Sequence, residues 1–506
     1  MDYDAIIIGT GIGGLIAGAK LTKEGKKVLL IEQESTPGGY ASCLKLSDDY
    51  MIDFGLHAMD GLYEKDPKIE VFEDLDIFFN IEFEKILTGF YKFYNERKDF
   101  TIPDNEEQAI EKLVEWFPDE EKSIKKFFKT INAITKDTHN IPRSKFMQGI
   151  IGPFVPMIFP SIPRWGGKTA GDLFDSHFNN EDLKLALAGT IQYYGDDPYK
   201  LSAIIYAIAL STRFKGGTHY IKGGSIKFSY GLVKFIKQHG GTFLFDRVVT
   251  RIVVERGKAC GVEYISKKES DKKIHKISGK IIIANAPVPQ VANELLQGKR
   301  HKKFREQINK LDVGHSILNI YLGFNKPPIE IGNTSYTTVV NDPSIISLHQ
   351  IADNHKGDYE KRNFIFVDFS QIDSMLASSG RSIGVISVVD YIENWGGLSK
   401  AEYTAKKKEV AHMFIDRLYK LMPDMVGHID YYYVSTPRTK VEYTLNPNGT
   451  FLGFAYTPKQ SGMMRLKNKS PVKNLYFASA WTFPGGGYSS TIWSGWQCAN
   501  EVLKKL

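Results

Sequence analysis

Uninterrupted apolar runs and helical spacing alternate at the start of the chain. Residues 4–8 (Asp-Ala-Ile-Ile-Ile) have the length of one strand buried on both faces, and they stop at Gly9-Thr10-Gly11-Ile12-Gly13-Gly14. Residues 15–24 place apolar side chains at helical intervals, and Val28-Leu29-Leu30-Ile31 is a second buried strand that ends at Glu32. The pattern predicts a parallel βαβ unit.

Residues 66–210 change character. Helical spacing is expected over 70–75, 105–116, 120–134, 183–192 and 200–213, with lysines on the outer face of 120–134. Residues 146–160 are long, apolar and uncharged, but Pro153, Pro156 and Pro160 break any helix, so the stretch is not a membrane span. It reads either as a buried irregular connection or as a hydrophobic mouth dipping into a membrane between Lys145 and the pair Arg164 and Lys168. A helix over 226–238 leads to strands at 240–254 and 261–264, and residues 280–284 form a third parallel strand ending in Asn285-Ala286-Pro287. From 311 to 465 the runs 317–324, 336–340, 364–369 and 383–389 are β-rich and partly alternating. They predict an antiparallel sheet covered by a helix over 400–421. Residues 474–477 are a last short strand, followed by a glycine-rich turn and a helix over 490–504.

The glycine run carries the first chemistry. Gly9 permits a tight turn, Gly11 lets backbone approach a pyrophosphate, and Gly14 allows helix to pack on strand. Unpaired amides at the helix start, including those of Ile12 and Gly13, meet the anion. Glu32 stands about 20 residues further on, where a carboxylate takes the ribose hydroxyls and repels a 2′-phosphate. Strand, glycine turn, helix, strand and acid in register predict dinucleotide binding.

Composition narrows the class. A chain of 506 residues exceeds one ordinary core, so two domains are expected. The net charge of +7 is mild, and without an arginine-rich tract it gives no reason to expect nucleic acid, only an attraction to anionic membrane surfaces. Cys43, Cys260 and Cys498 lie far apart, and no close histidine pair occurs, so neither a disulfide framework nor a metal is expected. No basic leader precedes the first apolar run. A reduced cytoplasmic protein, peripheral to a membrane if at all, is the resulting expectation.

Several segments carry a resemblance. The βαβ unit is followed by Gln33 and then by Pro37-Gly38-Gly39-Tyr40; Asp53-Phe54-Gly55 precedes His57; Tyr220 opens Tyr-Ile-Lys-Gly-Gly. Thr436-Pro437 and residues 474–488, with Trp481-Thr482-Phe483-Pro484-Gly485-Gly486-Gly487-Tyr488, complete the set. Together they resemble the phytoene desaturase, carotenoid isomerase and retinol saturase group of FAD-dependent proteins. The resemblance implies an α/β fold, with a Rossmann-like FAD-binding domain (1–65, 211–300 and 466–506) and a discontinuous α+β substrate domain (66–210 and 301–465). It implies FAD held by Gly9, Gly11, Ile12, Gly13, Gly14, Glu32, Gln33, Gly38, Gly39, Tyr40 and His57 on the N-terminal side. Val249, Ala284, Trp481, Gly486, Gly487, Tyr488 and Ser489 complete the implied set. Family members often carry Gly-Asp where this chain has Ser479 and Ala480, so one carboxylate bond to the ribityl chain is missing.

The function implied is desaturation, saturation or cis–trans isomerisation of carbon–carbon double bonds in a long apolar substrate. His57 and Tyr220 are the weak candidates for acid–base work, and a lone histidine reads equally well as structural. No second strand-linked G-x-G-x-x-G occurs, which leaves a quinone, oxygen, a docking nicotinamide or a protein as electron partner. Two rivals share the fold. One is an amine oxidase, in which Trp481 and Tyr488 would form an aromatic cage; the other is a prenyl-lipid carrier of the GDP-dissociation-inhibitor kind.

Overall fold

The computed structural model describes residues 1–64, 66–142, 151–268 and 273–506. In chain order the elements that frame the site begin with β1 (Tyr3–Ile8), α1 (Ile12–Lys23), β2 (Val28–Ile31) and β3 (Met59–Asp60). Then come β4 (Tyr91–Tyr94), β5 (Asp99–Ile102), α2 (Glu121–His139), α3 (Ala203–Gly216), β6 (Thr218–Ile221) and α4 (Ser225–Gln238). After β7 (Thr242–Leu244), β8 (Arg247–Glu255), β9 (Lys258–Ser266) and β10 (His275–Ala284), the chain enters β11 (Ser316–Phe324), β12 (Thr337–Val340), β13 (Phe364–Asp368) and β14 (Ser382–Asp390). It closes with α5 (Lys400–Leu421), β15 (Ile429–Ser435), α6 (Pro437–Thr444), β16 (Leu475–Phe477) and α7 (Tyr488–Leu503).

The first sheet is parallel in the order β7-β2-β1-β10-β16. Strand β10 is long enough to serve two partners: Ile281 to Ala284 pair with β1, and His275 to Ser278 begin an antiparallel ribbon with β9 and β8. Both faces are buried, as the unbroken apolar runs require. Ala5, Ile7, Val28 and Leu30 pack with Leu15 and Ala19 of α1, whereas Ile6, Ile8, Leu29 and Ile31 pack with Val249 and Val262 of the ribbon.

The second sheet has the order β15-β11-β14-β13-β12-β4-β5. It is antiparallel except where β12 runs parallel to β4, which corrects the expectation of a purely antiparallel sheet. Period two divides its faces. Leu318, Ile320, Leu322 and Phe324 pack under Val410, Phe414 and Leu418 of α5, while Ile317 and Asn319 face inward to a cavity.

Residues 66–210 are not only the expected helices: the hairpin β4–β5 extends the second sheet as well, and its buried residues, Tyr91, Phe93, Phe100 and Ile102, alternate with exposed or half-exposed ones. Residues 152–158 are not a buried connection. They form two short helical turns that bury no residue, with Phe154 51%, Met157 74% and Ile158 47% exposed. Residues 143–150, including Lys145, lie outside the described residues.

Candidate functional site

Helices α1 and α7 pack side by side with their N-termini at one cavity of about 970 Å³. Neither helix start is closed by a side-chain cap: the N-cap residues are Gly11 and Gly487. Their first-turn amides therefore lack intrahelical partners and carry the positive end of each helix dipole. Gly9, Gly11 and Ile12 line the cavity from one side, and Gly486, Gly487, Tyr488 and Ser489 from the other.

The glycines are dictated by what crowds them. A Cβ on Gly11 would lie 2.5 Å from Oδ1 of Asn285, and one on Gly13 would lie 2.2 Å from the Ala478 carbonyl oxygen. One on Gly14 would lie 2.5 Å from the Gly9 oxygen, which is the predicted close packing of helix on strand. Asn285, just beyond β10, sits over the whole turn and donates from Nδ2 to the Ala478 oxygen at 2.5 Å. Gly13, Gly14 and Ala284 pack behind the cavity and do not line it; Asn285 and Ala286 occupy the lining position expected of Ala284.

Glu32 lines the cavity at the end of β2. Its Oε2 accepts from the amide and hydroxyl of Thr10 at 2.7 and 2.6 Å, and its Oε1 from the Glu34 amide at 3.0 Å. Burial pushes its carboxyl above the usual range, and those three donors oppose the shift. The Pro-Gly-Gly loop lies against the first turn: Gly38 donates to the Thr10 carbonyl at 3.0 Å, with Gly38 and Gly39 both at positive φ. Gln33 and Tyr40 line the cavity and reach across it to the returning chain. Gln33 donates to the Tyr443 carbonyl at 3.0 Å, and the Tyr40 hydroxyl to the Thr450 carbonyl at 3.1 Å. Val249, at a register shift in β8, completes this end.

His57 lines the cavity with Nδ1 2.9 Å from the Tyr193 hydroxyl. Burial, with the charges of Lys440 and Arg213, lowers its pKa to about 4, so the ring is neutral at ordinary pH. Tyr220 does not line the cavity. Its hydroxyl donates to Oδ2 of Asp53 at 3.0 Å, and Asp53 also accepts from the amide and hydroxyl of Ser225, closing the start of α4. The doublet Gly223-Gly224 packs there too: a Cβ on Gly224 would meet Cys43 Sγ at 2.5 Å.

Trp481 and Tyr488 both line the cavity. Trp481 packs edge-on against Phe454 and donates to Oδ1 of Asn446 at 2.9 Å, so its ring is held by the returning chain. Asn446 follows α6, whose start is closed by the reciprocal pair Thr436 and Thr439. The Thr-Pro segment thereby ties one wall to the other.

Sequence reasoning missed Asp60, Arg213 and Lys440, all on the cavity wall. The buried Lys440 ammonium donates to the Ile317 carbonyl at 2.8 Å and to the Ser435 carbonyl and hydroxyl at 3.3 Å. Burial lowers its pKa to about 7. None of the three sits in a recognisable motif, and only the helical spacing of α3 pointed toward Arg213.

A flavin dinucleotide fits what is present. The open space beyond Gly487, where a Cβ would meet nothing within 4 Å, continues the channel from the glycine turn, and the donors available suit an anion. The model of the family described as "Flavin containing amine oxidoreductase" matches residues 12–503. The chain belongs to that family. Its cofactor is accordingly FAD, and the family's two-domain fold of mixed sheets and helices agrees with the α/β expectation. Along its full length the chain is 27% identical to a chloroplastic prolycopene isomerase of Daucus carota, covering 80% of that protein. It is 24% identical to an all-trans-retinol 13,14-reductase of Danio rerio, again along its full length and over 86% of the relative. Cyclohexylamine oxidase from Brevibacterium oxydans has the same fold, with a TM-score of 0.64 at 16% identity, covering 100% of this chain and 99% of that one. No helix among the described residues is long and apolar enough to cross a membrane.

Proposed function

We propose that this protein is an FAD-dependent oxidoreductase or isomerase acting on carbon–carbon double bonds of a long apolar polyene. The observation that carries the reading is the continuity of one cavity from the glycine turn at Gly11, past Gly487, to an apolar wall formed by Ile204, Ile205 and Ile208. The curated relatives along the whole chain, a prolycopene isomerase and a retinol reductase, support a polyene over an amine. Bound flavin supplies reversible hydride transfer at its ring. The chain's own residues hold its phosphates at two helix starts, take a ribose at Glu32 and keep water from the ring with the second sheet and α3.

On this reading segments 1–65, 211–300 and 466–506 hold the cofactor and segments 66–210 and 301–465 the substrate. His57, neutral and bonded to Tyr193, orients the wall and does not move protons. The exposed turn at Phe154, Met157 and Ile158, flanked by Arg164 and Lys168, is a peripheral membrane contact through which a lipid-borne substrate enters. Electrons come from or go to a docking partner: a quinone, oxygen, a nicotinamide or a protein.

The test is product mass. FAD-loaded protein is incubated with poly-cis lycopene or with retinol, under reducing and oxidising conditions, and products are separated by chromatography and weighed. An isomer of equal mass, or a gain or loss of two hydrogens, supports the reading and selects the reaction. Turnover of cyclohexylamine or putrescine with peroxide release, and none of polyenes, sinks it.

A further inference from the structure

The stripe of α3 that faces the cavity changes chemistry along its length. Ile204, Ile205, Ile208 and Ala209 are apolar, and the next turn brings Thr212 and Arg213 to the same wall. The stripe extends roughly 13 Å at the helical rise. Its polar end meets Asp60, whose Oδ2 accepts from Thr212 at 2.8 Å and whose Oδ1 accepts from Ser489 at 2.9 Å. Nearby, Lys68 and Asp66 are paired at 2.7 Å, both buried.

Arg213 is a cation of this wall without a carboxylate at ion-pair distance among the described residues, although several cations elsewhere have one. Its Nε is buried without a hydrogen-bond partner, the guanidinium lies 5.0 Å over the Phe90 ring, and the Tyr194 hydroxyl accepts a hydrogen bond from it. Burial works against its charge, but the phenols of Tyr194 and Tyr193 and the carboxylate of Asp60 sustain it. A guanidinium is a fixed cation with donors and no acceptor capacity, and the part of Arg213 that remains accessible at the cavity wall can serve an acceptor oxygen. A pure hydrocarbon cannot supply one.

We infer that this end of the cavity recognises the carboxylate end of an otherwise apolar chain, with Arg213 as the donor and the α3 stripe as the bed for the tail. The inference rests on the polyene reading above and adds the head group. Because Ser489 opens α7 and binds Asp60, the head lies on the cofactor's side of the chamber, and the reacting double bonds lie near it.

The test uses full-length FAD-loaded protein and two ligands of equal length. One is all-trans-retinoic acid; the other is the hydrocarbon with a methyl group in place of the carboxylate. Binding is read from the shift of the flavin absorbance bands. The acid is expected to bind at least tenfold tighter. In Arg213→Met the acid should fall to the affinity of the hydrocarbon, whose own affinity stays unchanged, and Arg213→Lys should retain part of the preference. Circular dichroism and melting confirm that both variants fold. Equal binding of the two ligands to the wild-type protein overturns the head-group assignment and leaves the polyene reading standing. Loss of flavin from folded Arg213→Met also overturns it, since the arginine would then serve the cofactor. Failure of both ligands to bind overturns the two readings together.

Discussion

Gly495 of α7 lies against Gly13 of α1 so closely that a Cβ on Gly495 would come 2.4 Å from the Gly13 carbonyl oxygen and 3.0 Å from Cβ of Ile16. The contact is backbone on backbone, and no rotamer change can relieve it. It sets the distance between two helix starts that share one cavity, and thus brings the two ends of the chain to one space whose unpaired amides suit an anion.

Gly495→Val should therefore damage the cofactor site from a position that never touches it. Overpacking at a tight contact costs about 1–3 kcal/mol, and the helices can yield only by parting. The variant is expected to melt lower and to lose flavin on gel filtration that the wild type retains. The ratio of flavin to protein absorbance checks it. Full retention of flavin in a folded variant would show that the spacing of α1 and α7 is not critical.

Glu32 gives a second test, of affinity alone. Glu32→Gln keeps an acceptor for Thr10, so the turn stays closed, but it removes the charge offered to ribose hydroxyls. Hydrogen bonds to a charged group contribute about 1.5–3 kcal/mol, which corresponds to roughly ten- to hundredfold weaker FAD binding. Titration of the apoprotein followed by flavin fluorescence measures this. An unchanged affinity would place the ribose elsewhere.

How much of this was legible in the sequence follows from how local each signal is. Residues 4–32 announce themselves because strand, turn and helix must be contiguous to bind a dinucleotide, and the helix over 400–421 is marked by its own cap, Ser399 with Glu402. The hairpin β4–β5 escaped notice because two four-residue strands are shorter than the period-two pattern needs to stand out. Tyr220 misled for another reason: a motif fixes neighbours in sequence, but only the fold reveals that its hydroxyl is already engaged by Asp53. Asp60, Arg213 and Lys440 come from three distant segments, and their convergence is a property of the second sheet and α3 packing around one space.

The exposed turn at 152–158 predicts surface behaviour. Phe154, Met157 and Ile158 expose apolar side chains together on adjoining turns, and it is a grouped apolar surface of this kind that marks a membrane or partner contact. Replacing both Phe154 and Met157 with serine should reduce co-sedimentation with vesicles containing anionic lipid several-fold, while the melting temperature stays within a degree or so, because neither side chain is buried. Equal sedimentation of the two proteins would dispose of the membrane contact.

Lys440 predicts a pH response that can be traced to one group. Burial lowers its folded pKa from 10.5 to about 7, so the cationic form holds below that value and the neutral amine above it. With the folded pKa depressed, its linkage contribution to stability is fully present above 10.5, falls steadily as pH drops below that value, and is gone once pH has passed about 7. The same protonation places a positive charge on the cavity wall, where it already helps to keep His57 neutral. The pH profile of turnover should accordingly show an inflection near 7, and the denaturant midpoint should fall as pH drops from about 10.5 to about 7 and level off on the acid side. Lys440→Met retains the volume of the side chain and removes the titration, so both features should flatten. His57 does not confuse the result, since its own pKa of about 4 lies well below this window. If the inflection persists in Lys440→Met, another group on the wall titrates there, and the three acceptors around Nζ hold the lysine charged throughout.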